Sequence, residues 1–373
     1  MNRLITIILV VVIASVGLML GCTKGEIELK IGATASLTGK LVNISKSIQN
    51  GVELAAEEIN KKGGIEGKKI RLVWEDEGDN PQKAVSAIQK LINIHYVPVI
   101  IGPISSSSVM AVAPIANRAK VVVLSPGATS PNITYAGEFV FRNRAAGTLE
   151  SRKMAKYAYD KLGLRNIIVF ETNEDYGSGF GSVFKTTFEK MGGKIVLIEK
   201  YTQGDTEFRT QLSKFRIYKF DGIYVIGVPN EVGNILKQVR ELEIKTTFLM
   251  NNMENPELII TAGNAAEGIF FPAPFFDPNS DKENVKHFVE SYRHRYGDTP
   301  DLFAANGYDA VYIIKYAIRK RGYDGYQIKK ALYSIKDFPT VSSERISFDE
   351  NGDIIQPLVI KTVKNGEFVI VSQ

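Results

Sequence analysis

The sequence predicts an α/β protein of two lobes, each built on a parallel-sheet core with helices on both faces. Three observations predict it. Apolar strand-like runs alternate with amphipathic helical segments along most of the chain, the pattern of parallel sheets covered on both sides. The 373 residues suffice for about two domains. The rhythm breaks only in the C-terminal third, where helices follow one another and lead into alternating strands with Asn-Gly turns.

The elements follow in order. ELKIGATASL is a β-rich run, and Ile48, Val52, Ala55 and Ile59 then recur at helical spacing until the glycines of KKGGIEG stop the helix. KIRLVWED is the second strand, and Pro81 opens a helix carrying Val85, Ile88 and Ile92. VPVIIG, SSSVMAVAPIANRAK and VVVLS read as strand, helix and strand. The alternation continues through LESRKMAKYAYDKLG, NIIVFET, GSVFKTTFEKMGG, KIVLIEKY, EFRTQLSKFRIYKF, DGIYVIG, NEVGNILKQVRELE and TTFLM. Helical patterns at 281–296, 301–320 and about 326–335 follow, and Asn351-Gly352 and Asn365-Gly366 mark antiparallel hairpins in the tail.

The N-terminus is of another kind. Arg3 precedes an apolar run from Leu4 to Leu20 that ends in Gly21 and Cys22, which has the form of a secretory signal over residues 1–21. Cys22 is the only cysteine, so no internal disulfide can form. Its position after a small residue resembles a lipoprotein cleavage site, where the thiol is acylated and residues 22–26 become a tether. An uncleaved anchor helix and an ordinary cleaved signal are the alternatives. All three place the remaining chain outside the cytoplasm.

Composition excludes several classes. Hydrophobic residues make up 44% and charged residues 23%, which is globular rather than disordered. The formal charge of +5 is spread evenly, without a basic block interleaved with aromatics, so nucleic acid is not an expected partner.

In open α/β sheets, ligands bind beyond the carboxyl ends of the strands. That selects the loops 102–108, 125–131, 173–179, 228–231 and 251–256. The first carries four consecutive serines, Ser105 to Ser108, where a strand hands over to a helix. One serine caps a helix. Four hydroxyls beside free backbone N–H groups and the positive end of a helix dipole make a corner suited to a carboxylate. The neighbouring loop SPGATSP, with Gly127, Ala128 and Thr129, adds a second hydroxyl-rich, glycine-containing turn.

Catalysis finds little support. His95, His287 and His294 fall in helical stretches, no nucleophile elbow occurs, and no cluster has metal-ligand spacing, so no cofactor or metal is expected. Gly177-Ser-Gly179-Phe-Gly-Ser182 imitates a dinucleotide fingerprint, but Ser182 replaces the third glycine, and a glycine-rich helix start accounts for it.

Taken together and in this order, IGATASLTG, NGVELAAEEINKKGGIEGKKIRLVWEDEGDNPQKAV, IGPISSSS, SPGATSP, NEDYGSGFG, DGIYVIGVPNEVGNILKQ and ISFDENGD resemble the type I periplasmic binding proteins of ABC importers. The group resembled is the one that binds branched-chain amino acids and amides. The resemblance covers residues 27–373 and implies two Rossmann-like lobes joined by three hinge crossings. It places lobe 1 at 27–146 plus 279–340 and lobe 2 at 147–278 plus 341–373, with the third crossing before ISFDENGD.

The resemblance also implies roles. Ser106, helped by Ser105 and Ser107, would hold a solute carboxylate, Gly127 and Thr129 with Ala128 between them would supply a carbonyl and a hydroxyl, and Tyr176 would cover the solute. Val228 stands where leucine-binding members often carry an aromatic or polar residue. Asn252 stands where a carboxylate usually meets the ammonium, and Glu254, two residues on, or a main-chain carbonyl such as that of Gly127 could take its place. The implied function is a monomeric, non-catalytic carrier, lipid-anchored through Cys22 and delivering an aliphatic amino acid or related carboxylate to permease subunits in the membrane. A ligand-sensing ectodomain, or a carrier for a non-amino acid or amide, is the alternative.

Overall fold

The computed structural model describes residues 28–372 apart from 79 and 253. The segment that reads as a secretory signal, and Cys22 after it, lie outside the described residues.

Lobe 1 begins with β1 (Glu28–Ala35), α1 (Val42–Lys61), β2 (Lys69–Asp76), α2 (Pro81–Asn93), β3 (Val99–Ile101), α3 (Ser106–Ala119), β4 (Val122–Ser125) and β5 (Val140–Arg142). These strands form one sheet in the order β2-β1-β3-β4-β5, all parallel. After a first crossing at 143–146, lobe 2 follows with α4 (Gly147–Asp160), β6 (Asn166–Thr172), α5 (Asp175–Lys190), β7 (Lys194–Tyr201), α6 (Arg209–Phe215), β8 (Gly222–Ile226), α7 (Pro229–Glu241), β9 (Thr247–Met250), α8 (Pro256–Ala262) and β10 (Phe270–Pro274). The chain then returns to lobe 1 with α9 (Glu283–Tyr296), α10 (Leu302–Arg321) and α11 (Gly325–Tyr333). The strands β11 (Phe338–Pro339), β12 (Arg345–Phe348) and β13 (Ile354–Ile355) make a separate three-stranded sheet, and β14 (Leu358–Lys364) and β15 (Glu367–Ser372) end the chain. The second sheet runs β15-β14-β10-β9-β8-β6-β7, parallel from β10 to β7 and antiparallel where β14 and β15 join.

The runs that read as continuous apolar strands are buried along their length: β3, β4, β5 and β8 have no exposed residue. Helix α10 is held to α1 by backbone proximity. A Cβ on Gly51 would lie 2.0 Å from the carbonyl oxygen of Ala304, and one on Gly307 would lie 2.3 Å from that of Ile48. Each glycine removes the side chain that would force the helices apart. The final hairpin turns at Asn365 and Gly366, with φ of 54° and 76°, the left-handed pair that a two-residue hairpin of this hand requires.

The third crossing falls later than the resemblance placed it. Residues 341–355 stay on lobe 1, and the chain crosses at 356–357. Two buried charged groups hold the segment there. The Asp309 carboxylate on α10 accepts from the backbone N–H of Val341 and Ser342, both at 2.9 Å. Arg142 at the end of β5 donates from Nη2 to Asp353 Oδ2 at 2.8 Å, and its own N–H reaches the Gly352 carbonyl at 3.1 Å. The ring of Phe348 meets Phe141 edge-on at 5.5 Å.

Candidate functional site

The carboxyl ends of both sheets face one another, and a cavity of about 40 Å³ lies between the lobes. A vestibule of about 390 Å³ adjoins it, sharing Leu41, Ser105, Glu174 and Gln203 as a common rim. One water-sized group needs about 10–15 Å³, so the inner space suits about three such groups, the scale of a small aliphatic side chain. A groove of about 410 Å³ on the outer face of α10, lined by Tyr312, Lys315 and Phe338 among others, is larger but belongs to one lobe and lies away from the strand ends.

The four serines divide their work. Ser105 is the N-cap of α3, its Oγ accepting from the Ser108 N–H at 3.1 Å. Ser106 Oγ accepts from the N–H groups of Thr129 at 3.3 Å and Ser130 at 3.1 Å. A hydroxyl has two lone pairs and one proton. Both acceptor positions are thus taken, and Ser106, which lines the cavity, keeps its proton to give to a solute oxygen. Ser107 faces the vestibule with its Oγ 3.5 Å from that of Ser105, and Ser108 is buried.

The second loop is fixed to the first. Ser125 Oγ donates to the Pro103 carbonyl at 2.6 Å and accepts from the Ala128 N–H at 3.1 Å. Gly127 lines the cavity, where a Cβ would come within 2.8 Å of the Ile104 side chain. Ala128 packs instead into an apolar cluster with Val109, Ala113, Ile133 and Val140. Thr129 is buried beside the cavity without lining it, and its carbonyl accepts from the Gly147 N–H at 2.7 Å.

Lobe 2 supplies Tyr176 from the first turn of α5 and Val228 from the N-cap of α7, and both line the cavity. The Tyr176 hydroxyl accepts from Asn251 Nδ2, and Asn251 Oδ1 accepts from the Gly227 N–H at 3.0 Å. Burial pushes the Tyr176 phenol well above its ordinary value, so it stays neutral.

The two candidates for an ammonium partner lie elsewhere. Asn252 turns away: its N–H and Nδ2 approach the Glu150 carboxylate at 3.3 and 3.5 Å, and its carbonyl accepts from Arg144 Nη2 at 2.6 Å. Glu150 is buried and pushed up to about 7, with the Arg144 charge opposing the shift. The guanidinium of Arg144 lies over the ring of Phe303, which does line the cavity, at 4.3 Å. Glu254 is bound to Lys361 on β14, whose Nζ donates to both carboxylate oxygens at 2.7 and 2.8 Å and to the Phe276 carbonyl at 2.9 Å. Burial raises the Glu254 carboxyl while Lys361 opposes it. Glu254 therefore does not line the cavity, and its charge is paired with Lys361 inside lobe 2.

Sequence reasoning missed Leu41, Ile44, Ile104, Phe303, Glu174 and Gln203. Glu174 stands in the selected loop 173–179, two residues before the tyrosine that was singled out, and was legible there. Phe303 is the second residue of α10, and no local signal ties it to the other site loops. The cofactor-like glycines of α5 serve packing: a Cβ on Gly177 would lie 2.2 Å from the Thr172 carbonyl, and one on Gly181 1.8 Å from Glu171 Oε2.

The lobes touch across the cleft. Ser130 Oγ donates to the Asp175 carbonyl at 3.1 Å, Asn43 Nδ2 to Glu257 Oε1 at 3.2 Å, and Lys40 Nζ to the Gln203 carbonyl. Among the described residues, no group of three or more His, Cys, Asp or Glu could hold a metal ion, and no helix is long and apolar enough to cross a membrane.

Residues 28–367 match the family model described as "Periplasmic binding protein". The leucine-, isoleucine-, valine-, threonine- and alanine-binding protein of Pseudomonas aeruginosa is 27% identical over 329 residues, which is 87% of each chain. Among solved structures, the substrate-binding protein LivJ of a branched-chain amino acid transporter from Streptococcus pneumoniae, in complex with isoleucine, has a TM-score of 0.84 at 28% identity, covering 93% of this chain and 100% of that one. The leucine-binding protein LivK of Thermotoga maritima has a TM-score of 0.85 at 30% identity, covering 92% and 98%. A solute-binding protein of an ABC transporter from Rhodopseudomonas palustris, in complex with 3,4-dihydroxybenzoic acid, has a TM-score of 0.83 at 25% identity, covering 92% and 96%.

Proposed function

The chain belongs to the periplasmic binding protein family, and from that premise we propose that it is the extracytoplasmic solute-binding component of an ABC importer, closing its lobes on an aliphatic α-amino acid. It acts as a carrier without chemistry of its own. The observation that carries the reading is the division of the cavity into one hydroxyl corner and an apolar remainder. Ser106 offers its proton at the start of α3, where backbone N–H groups and the helix dipole favour an anion. Leu41, Ile44, Ile104, Val228 and Phe303 supply the apolar wall that a short hydrocarbon side chain needs. Relatives that bind leucine, isoleucine and valine support the same class.

A second reading, an aromatic or other acid without an amine, draws on one observation: neither Asn252 nor Glu254 presents a carboxylate to the cavity. The neighbour bound to 3,4-dihydroxybenzoic acid has the same fold. The attachment to the outer face of the membrane through acylated Cys22, the monomeric state and the delivery to permease subunits are parts of the proposal. So are the lobe limits, which now read 28–142 plus 283–355 and 147–274 plus 358–372.

A thermal-shift screen of ligand-stripped protein against amino acids and their desamino acids tests the reading. A solute at a hundredfold excess over Kd stabilises the folded form by about 2.7 kcal/mol. Shifts confined to aliphatic amino acids are the expected result, and shifts confined to aromatic acids favour the second reading.

A further inference from the structure

We propose that the groove on the outer face of α10 is a docking surface for anionic lipid, which holds the base of lobe 1 against the membrane. The inference rests on the anchor through Cys22 proposed above. Helix α10 starts at the cleft, where its second residue, Phe303, lines the cavity, and runs to the opposite end of lobe 1. There the hydroxyl of Tyr323, just past the helix, donates to the carbonyl of Lys30 in β1. The chain therefore enters the fold, at Glu28, on the same end of the lobe as the groove. Cys22 stands six residues before Glu28, so its lipid keeps that end within about 20 Å of the membrane. The tether sets the distance, and surface charge decides which face turns inward.

That face is basic and aromatic. The groove is lined by Tyr312, Lys315, Tyr316, Arg319, Lys320 and Phe338, with no acid among them. Lys62, just past α1, and Arg321, the last residue of α10, add to the charge at this end. Burial first, and then the charges of Arg319 and Lys62, hold the Lys315 ammonium below the ordinary lysine value. Among the described residues none of these cations forms an ion pair. They lie on aromatic rings instead: Lys320 Nζ donates to the Tyr316 hydroxyl at 2.9 Å, and Lys315 Nζ is 5.4 Å from the Tyr312 ring centre. Acids bordering this end are engaged, Asp337 with Arg345 at 2.8 Å and Glu28 with Arg71 at 3.1 Å. Tyrosine rings at headgroup depth with lysines reaching the phosphates are the pattern of a membrane–water boundary. Each basic side chain close to an anionic surface strengthens binding about fivefold. Arg319, Lys320 and Arg321 are exposed and spread along the helix, which matches an extended surface rather than a single small anion. In this pose lobe 2 lies on the side of lobe 1 away from the membrane, free to open and close.

The test places the full chain, with its N-terminal modification, in vesicles of phosphatidylcholine alone or with about one-third phosphatidylglycerol. Lysines are acetylated briefly and the modified positions read by mass spectrometry. The expected result is labelling of Lys315 and Lys320 reduced about threefold or more on the anionic vesicles. Salt at about 0.5 M should restore it. Lys190, at the end of α5 away from the cleft, is the control that stays unchanged. Arg319→Gln combined with Arg321→Gln, checked for an intact fold by circular dichroism, should lose most of the protection, and full protection there counts against the proposal. Equal labelling on the two kinds of vesicle, or protection that extends equally to Lys190, overturns the inference and leaves the anchor standing. Failure to float with phosphatidylcholine vesicles overturns the anchor and this inference with it. Glycerol phosphate or polyglutamate is also added to phosphatidylcholine vesicles. Protection by glycerol phosphate equal to that by the anionic vesicles assigns the groove to a soluble anion, and stronger protection by polyglutamate assigns it to an acidic protein surface. Either result overturns the inference, and the wild-type comparison decides it even if the variant fails to fold.

Discussion

Asn255 and Asp301 cap helices in opposite lobes and are bonded to each other: Asn255 Nδ2 donates to Asp301 Oδ2 at 2.6 Å. Asn255 Oδ1 accepts from the Glu257 N–H at the start of α8, and Asp301 Oδ1 from the Ala304 N–H at the start of α10, both at 2.8 Å. Ser47 adds a bond to Asp301 Oδ2 at 3.0 Å. Each residue therefore serves its own helix with one atom and the opposite lobe with another.

Asn255→Asp separates these duties. The aspartate keeps the cap but faces Asp301 with a like charge and no donor. Helix stability should hold, while the closed form loses a bond and gains a repulsion. The expected outcome is weaker solute binding and less compaction on adding solute, read by calorimetry and by small-angle scattering with and without solute. Unchanged affinity and unchanged compaction would show that the contact is incidental.

Ser106→Ala removes both the proton offered to the solute and the acceptor that ties down the N–H groups of Thr129 and Ser130. Affinity should fall by roughly 1–3 kcal/mol, as expected for a hydrogen bond to a charged group. Thr129→Ala should cost less, because the Thr129 side chain does not line the cavity. Titration calorimetry on both variants decides, and the reverse order would mean that the threonine hydroxyl reaches the solute.

Lys361→Met leaves the Glu254 carboxylate buried without its ion partner, a change that costs about 3–5 kcal/mol in comparable buried pairs. The loss should appear in urea denaturation and not in the affinity of the protein that remains folded. A clear loss of affinity at unchanged stability would return Glu254 to the solute site.

The buried acids set a pH dependence whose sign can be worked out. Glu150 is raised from 4.5 to about 7, so between those values the folded state holds a proton that the unfolded chain has released. Stability then falls as pH rises through that window and is flat on either side. Glu231 and Asp309, each pushed up to about 6 by burial, act in the same sense. Glu150→Gln should flatten the decline without abolishing it, so the stability of the variant relative to wild type improves from pH 5 to pH 8. Parallel denaturation curves at the two pH values would refute the assignment.

Cys22→Ser tests the anchor. Loss of the protein from the membrane fraction, or accumulation of an unprocessed precursor, is the expected result. Mass spectrometry of the wild type showing an unmodified N-terminus at another position would remove the lipid from the proposal.

Local patterns carried the fold well because the elements are decided locally. Asn365-Gly366 gave its hairpin from two residues, since few others accept two successive left-handed conformations. Ser105 and Ser106 were found because a strand end followed by a helix start is visible in ten residues. The rest depended on partners far along the chain. Glu254 is taken by a lysine 107 residues later. The third crossing is delayed by the bond between Arg142 and Asp353, 211 residues apart. Asn251 and Asn252 are adjacent and chemically identical, yet only the first reaches Tyr176. Which one does so is set by the packing of Glu150 and Arg144 against the second.

The late position of that third crossing bears on the order of assembly during synthesis. Asp353, which closes the buried contact with Arg142, emerges after the helices and all but the last two strands of lobe 2. Lobe 1 therefore gains that contact, and lobe 2 the strand β14 that pairs with β10, only from the last part of the chain to be made. Both lobes draw their last contacts from the final twenty or so residues. A stop codon a short distance early would therefore leave neither lobe whole.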